Sequence, residues 1–403
     1  MLANLSHDVR QYLIITTNYW VFTLTDGALR MLVLLHFHSL GYSPLQIAML
    51  FLFYEFFGVV TNLVGGWLGA RFGLNNTMNA GLFLQIAALS ALLVPPQYLG
   101  VGWVMMAQAA SGIAKDLNKM SAKSAIKLLV DDGQQGKLYK WVALLTGSKN
   151  TLKGAGFFAG ALLLSLLGFR GAIVVMVIAL SVTWVWSLIA LKSDLGKSSG
   201  KPKFSAIFSK SSAVNWLSAA RLFLFCSRDV WFVVALPVYF SQTLGWDHWR
   251  VGGFFALWIV GYGMVQAVAP AITHAGSASR INKLVVWGGV LSVVPLVIAL
   301  ALFKQVSPLL ILMPGLLLFG VLFAINSALH SYMIVSYANA DGVSLDVGFY
   351  YMANAAGRLF GTVLSGWIFQ MWGLVACLLM SAIFVLLASL LSIKLPDPTA
   401  RPV

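Results

Sequence analysis

Lys192-Ser-Asp-Leu-Gly-Lys-Ser-Ser-Gly-Lys-Pro-Lys-Phe-Ser-Ala-Ile-Phe-Ser-Lys-Ser-Ser212 is the longest polar stretch inside a chain that is 60% hydrophobic and only 9% charged. An average soluble domain is about 25% charged. On both sides of this stretch, apolar runs long enough to cross a bilayer follow one another. Turn-forming residues such as Gly41-Tyr-Ser-Pro44 and Pro95-Pro96 separate them. The spacing predicts twelve spans, over 11–38, 45–70, 77–94, 99–122, 139–166, 171–191, 213–241, 250–272, 283–303, 308–336, 345–371 and 374–394. Six precede the polar stretch and six follow it. The chain therefore reads as an all-α polytopic membrane protein. An N-terminal six-helix bundle covers 1–191, a cytoplasmic linker 192–212 and a C-terminal six-helix bundle 213–403.

Composition narrows the chemistry. The two cysteines, Cys226 and Cys377, both fall in apolar segments, and no Cys/His spacing suggests a metal site or a disulfide framework. No nucleophile–base pattern appears in the spans, which argues against an enzyme, and no cofactor is implied. The net charge of +14 would suggest nucleic acid in a soluble protein. Here the charges must first be sorted by side. With both termini cytoplasmic, fifteen of the 26 basic residues fall on the cytoplasmic side and three (Arg170, Arg250 and Lys304) on the other. That bias fixes the orientation and assigns no partner to nucleic acid.

Eight cations remain inside the spans: Arg30, Lys115, Lys119, Lys149, Lys153, Arg221, Arg228 and Arg358. Only Asp26, Glu55, Asp116 and Asp229 accompany them, a surplus of four positive charges. An ammonium or guanidinium at the centre of a membrane helix costs about 2.5–3.5 kcal/mol on insertion scales, so an anion is the natural compensation. The densest case is Ser111–Lys127, where Lys115, Lys119, Lys123 and Lys127 recur every four residues. Lys123 and Lys127 lie at the helix's cytoplasmic end and are explained by topology; Lys115 and Lys119 are not. Asp116 points about 100° from Lys115 and need not neutralise the stripe. Asp229 relates to Arg228 in the same way. Asp26 and Arg30, at i and i+4, either neutralise each other or free Arg30 for substrate. Lys149 and Arg221 are close enough to the cytoplasmic edge to reach it. Tyr19, Asn150 and Asn354 are candidate polar lining. Asp26, Asp116, Asp229 and Glu55, the sole glutamate, are the candidates for proton coupling.

The halves show weak internal symmetry. Gly156-x-x-x-Gly160 and Gly357-x-x-x-Gly361 occupy corresponding spans, each beside interior cations. Repeated halves with a midplane site between them are a transporter design. Small-xxx-small pairs also serve plain helix packing.

Two resemblances add to this. Gly65-Gly-Trp-Leu-Gly-Ala-Arg71-Phe-Gly73 resembles the loop motif between the second and third helices of the major facilitator superfamily, Gly-x-Leu-Ala-Asp-Arg-x-Gly. Gly66, Leu68, Gly69, Arg71 and Gly73 match; Ala70 stands where the motif has Asp. The resemblance implies a cytoplasmic gate at Gly66, Arg71 and Gly73; without the acid, either Arg71 uses helix-end carbonyls instead or the gate is looser. The proton-antiporter Gly-Pro motif of span five is absent. Further, Leu24–His38, Gly41–Ala48, Phe53–Trp67, the Ser111–Lys127 stretch, Leu138–Trp141 and Leu145–Asn150 resemble the organoarsenical efflux permeases of arsenic-resistance operons (the ArsJ type). This implies export of 1-arseno-3-phosphoglycerate across a bacterial cytoplasmic membrane, arsenate resistance, and a functional link to the glyceraldehyde-3-phosphate dehydrogenase that makes the compound. A monomer in the lipid bilayer is expected. The alternative is a major-facilitator carrier of another organophosphate or organic anion, with or without proton coupling.

Overall fold

The computed structural model describes residues 7–42, 44–127, 135–191, 211–273, 280–338 and 343–396. The side chains of Lys123 and Lys127 and residues 192–210 of the linker lie outside the described residues. The long helices are α1 (His7–Ser39), α3 (Leu52–Phe72), α4 (Leu74–Ala91), α5 (Val101–Lys127), α6 (Gln135–Ala190), α7 (Ser212–Phe232), α9 (His248–Ile272), α10 (Arg280–Phe303), α11 (Pro308–Tyr337) and α12 (Val343–Ser392). Two short helices, α2 (Pro44–Leu50) and α8 (Ala235–Gln242), extend α3 and α7. Among the described residues, seven segments are long and apolar enough to cross a membrane.

Local chemistry explains where the helices break. α6 contains Gly168 at φ 67°, ψ −179°, and α12 contains Gly373 at φ 74°, ψ −172°. This region is open essentially to glycine alone. Each glycine turns the chain sharply, so α6 and α12 are each two helical arms. At the α7–α8 break, Pro237 lacks an N–H and its ring crowds the carbonyl four residues back. The Val234 and Ala235 N–H groups, unpaired by the helix because α8 starts there, donate to Ser365 Oγ at 3.4 and 3.0 Å.

The ends of the helices sort onto two faces. Gln11 donates to the Ala190 carbonyl at 3.1 Å, so the start of α1 lies beside the end of α6. On the opposite face Arg170 donates to the Leu93 carbonyl at 2.7 Å, and His36 stacks on Phe169 at 4.2 Å. One hydrophobic cluster is built from residues 22–180 and another from residues 224–388. A third joins Met120, Tyr139 and Ala143 to Leu217, Tyr332 and Tyr350.

Where lipid replaces water, helices associate through close packing of small residues. A Cβ on Gly27 of α1 would stand 2.6 Å from the Lys153 carbonyl oxygen of α6. Gly156 and Gly160 return the contact against Leu24 and Ala28. Gly357 and Gly361 set α12 against Leu222, Cys226 and Asp229 of α7 in the same way. Both small-residue pairs are therefore packing surfaces. The same two helices also reach across the molecule. A Cβ on Gly147 of α6 would meet the Gly263 carbonyl of α9 at 2.6 Å, and one on Gly348 of α12 the Asn62 carbonyl of α3 at 2.8 Å. α6 and α12 thus hold charged residues from the early and late parts of the chain against one another.

Candidate functional site

These close crossings bring the interior charges around one cavity of about 190 Å³. All eight cations singled out in the sequence line it: Arg30 from α1, Lys115 and Lys119 from α5, Lys149 and Lys153 from α6, Arg221 and Arg228 from α7, and Arg358 from α12. Tyr19, Asn150 and Asn354 line it as well, with Asp26, Glu55 and Asp229. Asp116 is buried behind the wall. Eight cations against four carboxylates leave the interior a surplus of four positive charges.

The pairing differs from what helix spacing suggests. Asp26 and Arg30 do not neutralise each other. Asp26 lies 3.8 Å from Lys153 Nζ and accepts from the Tyr54 hydroxyl at 2.6 Å. Arg30 turns to Glu55, and its guanidinium lies over the Tyr54 ring at 4.4 Å. The close approach at Gly27 brings α6, and with it Lys153, within reach of Asp26. Asp116 does neutralise the lysine stripe in part, contrary to the 100° argument. Its carboxylate is 2.5 Å from Lys119 Nζ and 3.8 Å from Lys115 Nζ. The angle between Cα–Cβ bonds is overcome because residues three apart are helix neighbours and a lysine stem is long and flexible. Gly58 leaves the room, its missing Cβ standing 3.0 Å from Asp116 Oδ2. Arg228 likewise folds back on Asp229 at 2.5 Å.

The pairs join into a chain. Arg30 binds Glu55; Glu55 binds Arg358 at 2.5 Å; Arg358 reaches Asp229 at 3.3 Å; Asp229 binds Arg228. In the sequence Glu55 stands out only as the sole glutamate and a candidate for proton coupling. Its position between two arginines comes from the α3–α12 packing, which brings together residues 303 apart in sequence.

Arg221 is 3% exposed, so its side chain does not reach the membrane edge. It donates to Asn354 Oδ1 at 2.9 Å and to the Ser327 carbonyl at 3.2 Å, and lies over the Phe225 ring at 4.1 Å. Lys149 also lines the cavity. Asn150 donates to Gln266 Oε1 at 2.5 Å, and Gln266 donates to Ser327 Oγ at 3.2 Å. Gln266, Ser327, Tyr262 and the apolar wall of Phe51, Phe157, Phe225 and Phe232 were missed from sequence. Gln266 had a signal, as an isolated amide within an apolar span; the phenylalanines had none, in a chain that contains 26.

The cavity's lining stops short of the face where α1 begins. There Tyr139 packs on Tyr332 at 4.7 Å and shares a 3.4 Å hydrogen bond with Thr273. Toward the other face the wall continues through Leu34, Leu35, Ile47, Pro237 and Val251. At the motif resembling a gate, Gly73 has φ 92° and Gly66 packs beside Gly348. Arg71 lies over the Trp67 ring at 5.0 Å and the Phe72 ring at 5.9 Å. A cation–π contact thus occupies Arg71; helix-end carbonyls were one of the two alternatives left open by the sequence. His36 stacks on a ring, and the His38 side chain lies outside the described residues. Among the described residues no group of three His, Cys, Asp or Glu side chains is placed to hold a metal ion.

No curated protein matches the chain. Solved structures do. The human organic anion transporter MFSD10 (TETRAN) aligns over 96% of this chain and 100% of its own, with a TM-score of 0.76 at 15% identity. A bacterial homologue of the iron transporter ferroportin in an outward-facing state aligns over 95% and 98%, at 0.72 and 14%. The proton:xylose symporter XylE bound to 6-bromo-6-deoxy-D-glucose aligns over 97% and 97%, at 0.75 and 12%. At these identities the likeness shows the fold. The family model of the Major Facilitator Superfamily matches residues 13–341. The chain belongs to the major facilitator superfamily and is a multi-pass membrane transporter of small molecules, not an enzyme.

Proposed function

We propose that this transporter exports an anionic organoarsenical, 1-arseno-3-phosphoglycerate, by alternating access. The observation that carries the anionic part is the convergence of eight cations from both ends of the chain on one cavity, with four carboxylates to balance them. A surplus of positive charge attracts an anion and repels a metal cation. Arginine forks match tetrahedral oxyanions bidentately, and lysines add point charges. The arsenical part is supported by the sequence resemblance around residues 18–160, which includes Arg30, Glu55, Lys115, Lys119, Lys149 and Lys153.

In this reading the sharp glycine turns at Gly168 and Gly373 divide α6 and α12, and α2 and α8 complete the spans of α3 and α7, giving twelve crossings. The two six-helix halves are 1–191 and 213–403. Both termini face the cytoplasm of a bacterial inner membrane, so the cavity points outward and the Tyr139–Tyr332 contact is the closed cytoplasmic side. The carrier works as a monomer, with the dehydrogenase linked through its product alone. Glu55, Asp26 and Asp229, held by cations, act first as counter-ions that the substrate displaces. Arsenate and phosphate esters have the same shape and charge, so a carrier of another organophosphate is the second reading.

Cells sensitive to arsenate, given this chain together with a glyceraldehyde-3-phosphate dehydrogenase, should gain arsenate resistance, and neither gene alone should suffice. Equal resistance without the dehydrogenase, or none with both, would contradict the arsenical reading. Uptake into inverted vesicles of 3-phosphoglycerate in preference to the arsenylated product would favour the second.

A further inference from the structure

The third hydrophobic cluster, which contains the Tyr139–Tyr332 contact, is not wholly apolar. Four polar side chains are set into it: Ser218 of α7, His330 and Ser331 of α11, and Tyr350 of α12. Each is at most 2% exposed, and none lines the cavity. Tyr350 itself and the chain neighbours Leu217, Leu329, Tyr332 and Met333 belong to the cluster. Ser218 Oγ, His330 Nδ1, Ser331 Oγ and Tyr350 Oη form no hydrogen bond with another protein group.

Their placement is regular. Arg221 donates to Asn354 Oδ1 and to the Ser327 carbonyl. Ser218 comes three residues before Arg221. His330 and Ser331 come three and four after Ser327, and Tyr350 four before Asn354. Val214 near the start of α7, Ile334 near the end of α11 and Val347 near the start of α12 all join the cluster with Tyr139. Each helix therefore sets its polar group one turn, about 5 Å, from the level of Arg221 toward that face. The Arg221 guanidinium lies over the Tyr350 ring at 5.2 Å, and its charge reaches His330. The Ser331 hydroxyl points toward those of Tyr350 and Tyr351.

Three hydroxyls and an imidazole can all donate hydrogen bonds. Asp26, Glu55, Asp116 and Asp229 are taken by other cations. A layer of donors beside a guanidinium, with no acid in it, suits an oxyanion. A plug that had only to stay shut would do as well or better with apolar side chains of the same shape. We propose that Ser218, His330, Ser331 and Tyr350 form a loading subsite for an oxyanion, used when the carrier faces the cytoplasm and covered when it faces outward. Substrate entering from the cytoplasm meets these donors first and passes from them to Arg221. The opposite mouth, with Leu34, Leu35, Ile47 and Val251, offers no such step, so the two faces hold the same substrate with different strength. This inference rests on the anion-carrier reading above.

The test uses the full chain in membrane vesicles of both orientations, with 2,3-bisphosphoglycerate as the probe and counterflow as the readout. In wild type the half-saturating concentration should be lower at the cytoplasmic face, presented by inverted vesicles, than at the outer face. The double variant Ser218→Ala/Tyr350→Phe should raise the cytoplasmic value at least fivefold and the outer value less than twofold. His330→Gln, an independent variant, should shift in the same one-sided way. Both hydroxyl deletions keep the side chain's shape and remove a group with no protein partner, so thermal unfolding in detergent should match wild type. If the variants shift both faces equally, or neither, the loading subsite is overturned while the carrier reading stands. If wild type carries no 2,3-bisphosphoglycerate in either orientation, the anion-carrier reading fails and this inference with it.

Discussion

Arg358→Gln should abolish transport, by about 100-fold or more. Arg358 contacts Glu55 at 2.5 Å and Asp229 at 3.3 Å, and it lines the cavity with Arg30 and Arg228. A charge-assisted hydrogen bond contributes about 1.5–3 kcal/mol. Losing one to the substrate in the transport transition state corresponds to roughly one to two powers of ten, and losing both N–H arms of the fork takes it further. The cost in stability is smaller. Glu55 keeps Arg30 and Asp229 keeps Arg228, so neither carboxylate is stranded. We expect a loss of about 1–3 kcal/mol, within the range for breaking one buried polar contact. Combining Arg358→Gln with Glu55→Gln should lower stability further, because Arg30 then loses its carboxylate, and should restore none of the transport. Thermal unfolding in detergent and counterflow in proteoliposomes read the two effects separately. Transport at the wild-type rate in a well-folded Arg358→Gln protein would remove Arg358 from the substrate path.

The second large effect is steric. In Gly357→Val, the new Cβ meets the backbone of Leu222, with the carbonyl carbon at 2.9 Å and Cα at 3.0 Å. No side-chain rotation relieves a clash with backbone, so α12 and α7 must separate. Overpacking of this kind costs about 1–3 kcal/mol and occasionally more. The same crossing presents Arg358 to Asp229, so transport should fall with stability. Gly289→Val is the matched control, because a Cβ there meets nothing within 4 Å. We expect Gly357→Val to melt several degrees lower and to transport poorly, and Gly289→Val to resemble wild type. Equal behaviour of the two variants would mean that the α7–α12 crossing is looser than described.

These effects show what was legible in the sequence. The helical architecture followed from apolar runs and turn residues, and the eight cations followed from sorting charges by side. Both signals are one-dimensional. The partners of those cations are not. Asp116 follows Lys115, and reading Cβ directions alone set it apart from the lysine stripe; its position three residues from Lys119 and the length of the lysine stem decided otherwise. Glu55 looked like an isolated acid, and it is a bridge because Gly348 lets α12 approach α3. Arg221 looked like a residue that reaches the membrane edge, and it is the buried arginine with neutral partners. The glycine pairs were visible, but their consequence, the meeting of Asp26 with Lys153 and of Asp229 with Arg358, needed the crossings themselves.

The central claim is that the cavity selects anions. Equilibrium titration of the purified full chain at low and high salt, with 2,3-bisphosphoglycerate against the neutral sugar xylose, tests it most directly. The account predicts binding of the bisphosphate that weakens as salt screens the cationic wall, and no binding of xylose. Binding of xylose, or no salt-sensitive binding of the bisphosphate, would contradict it.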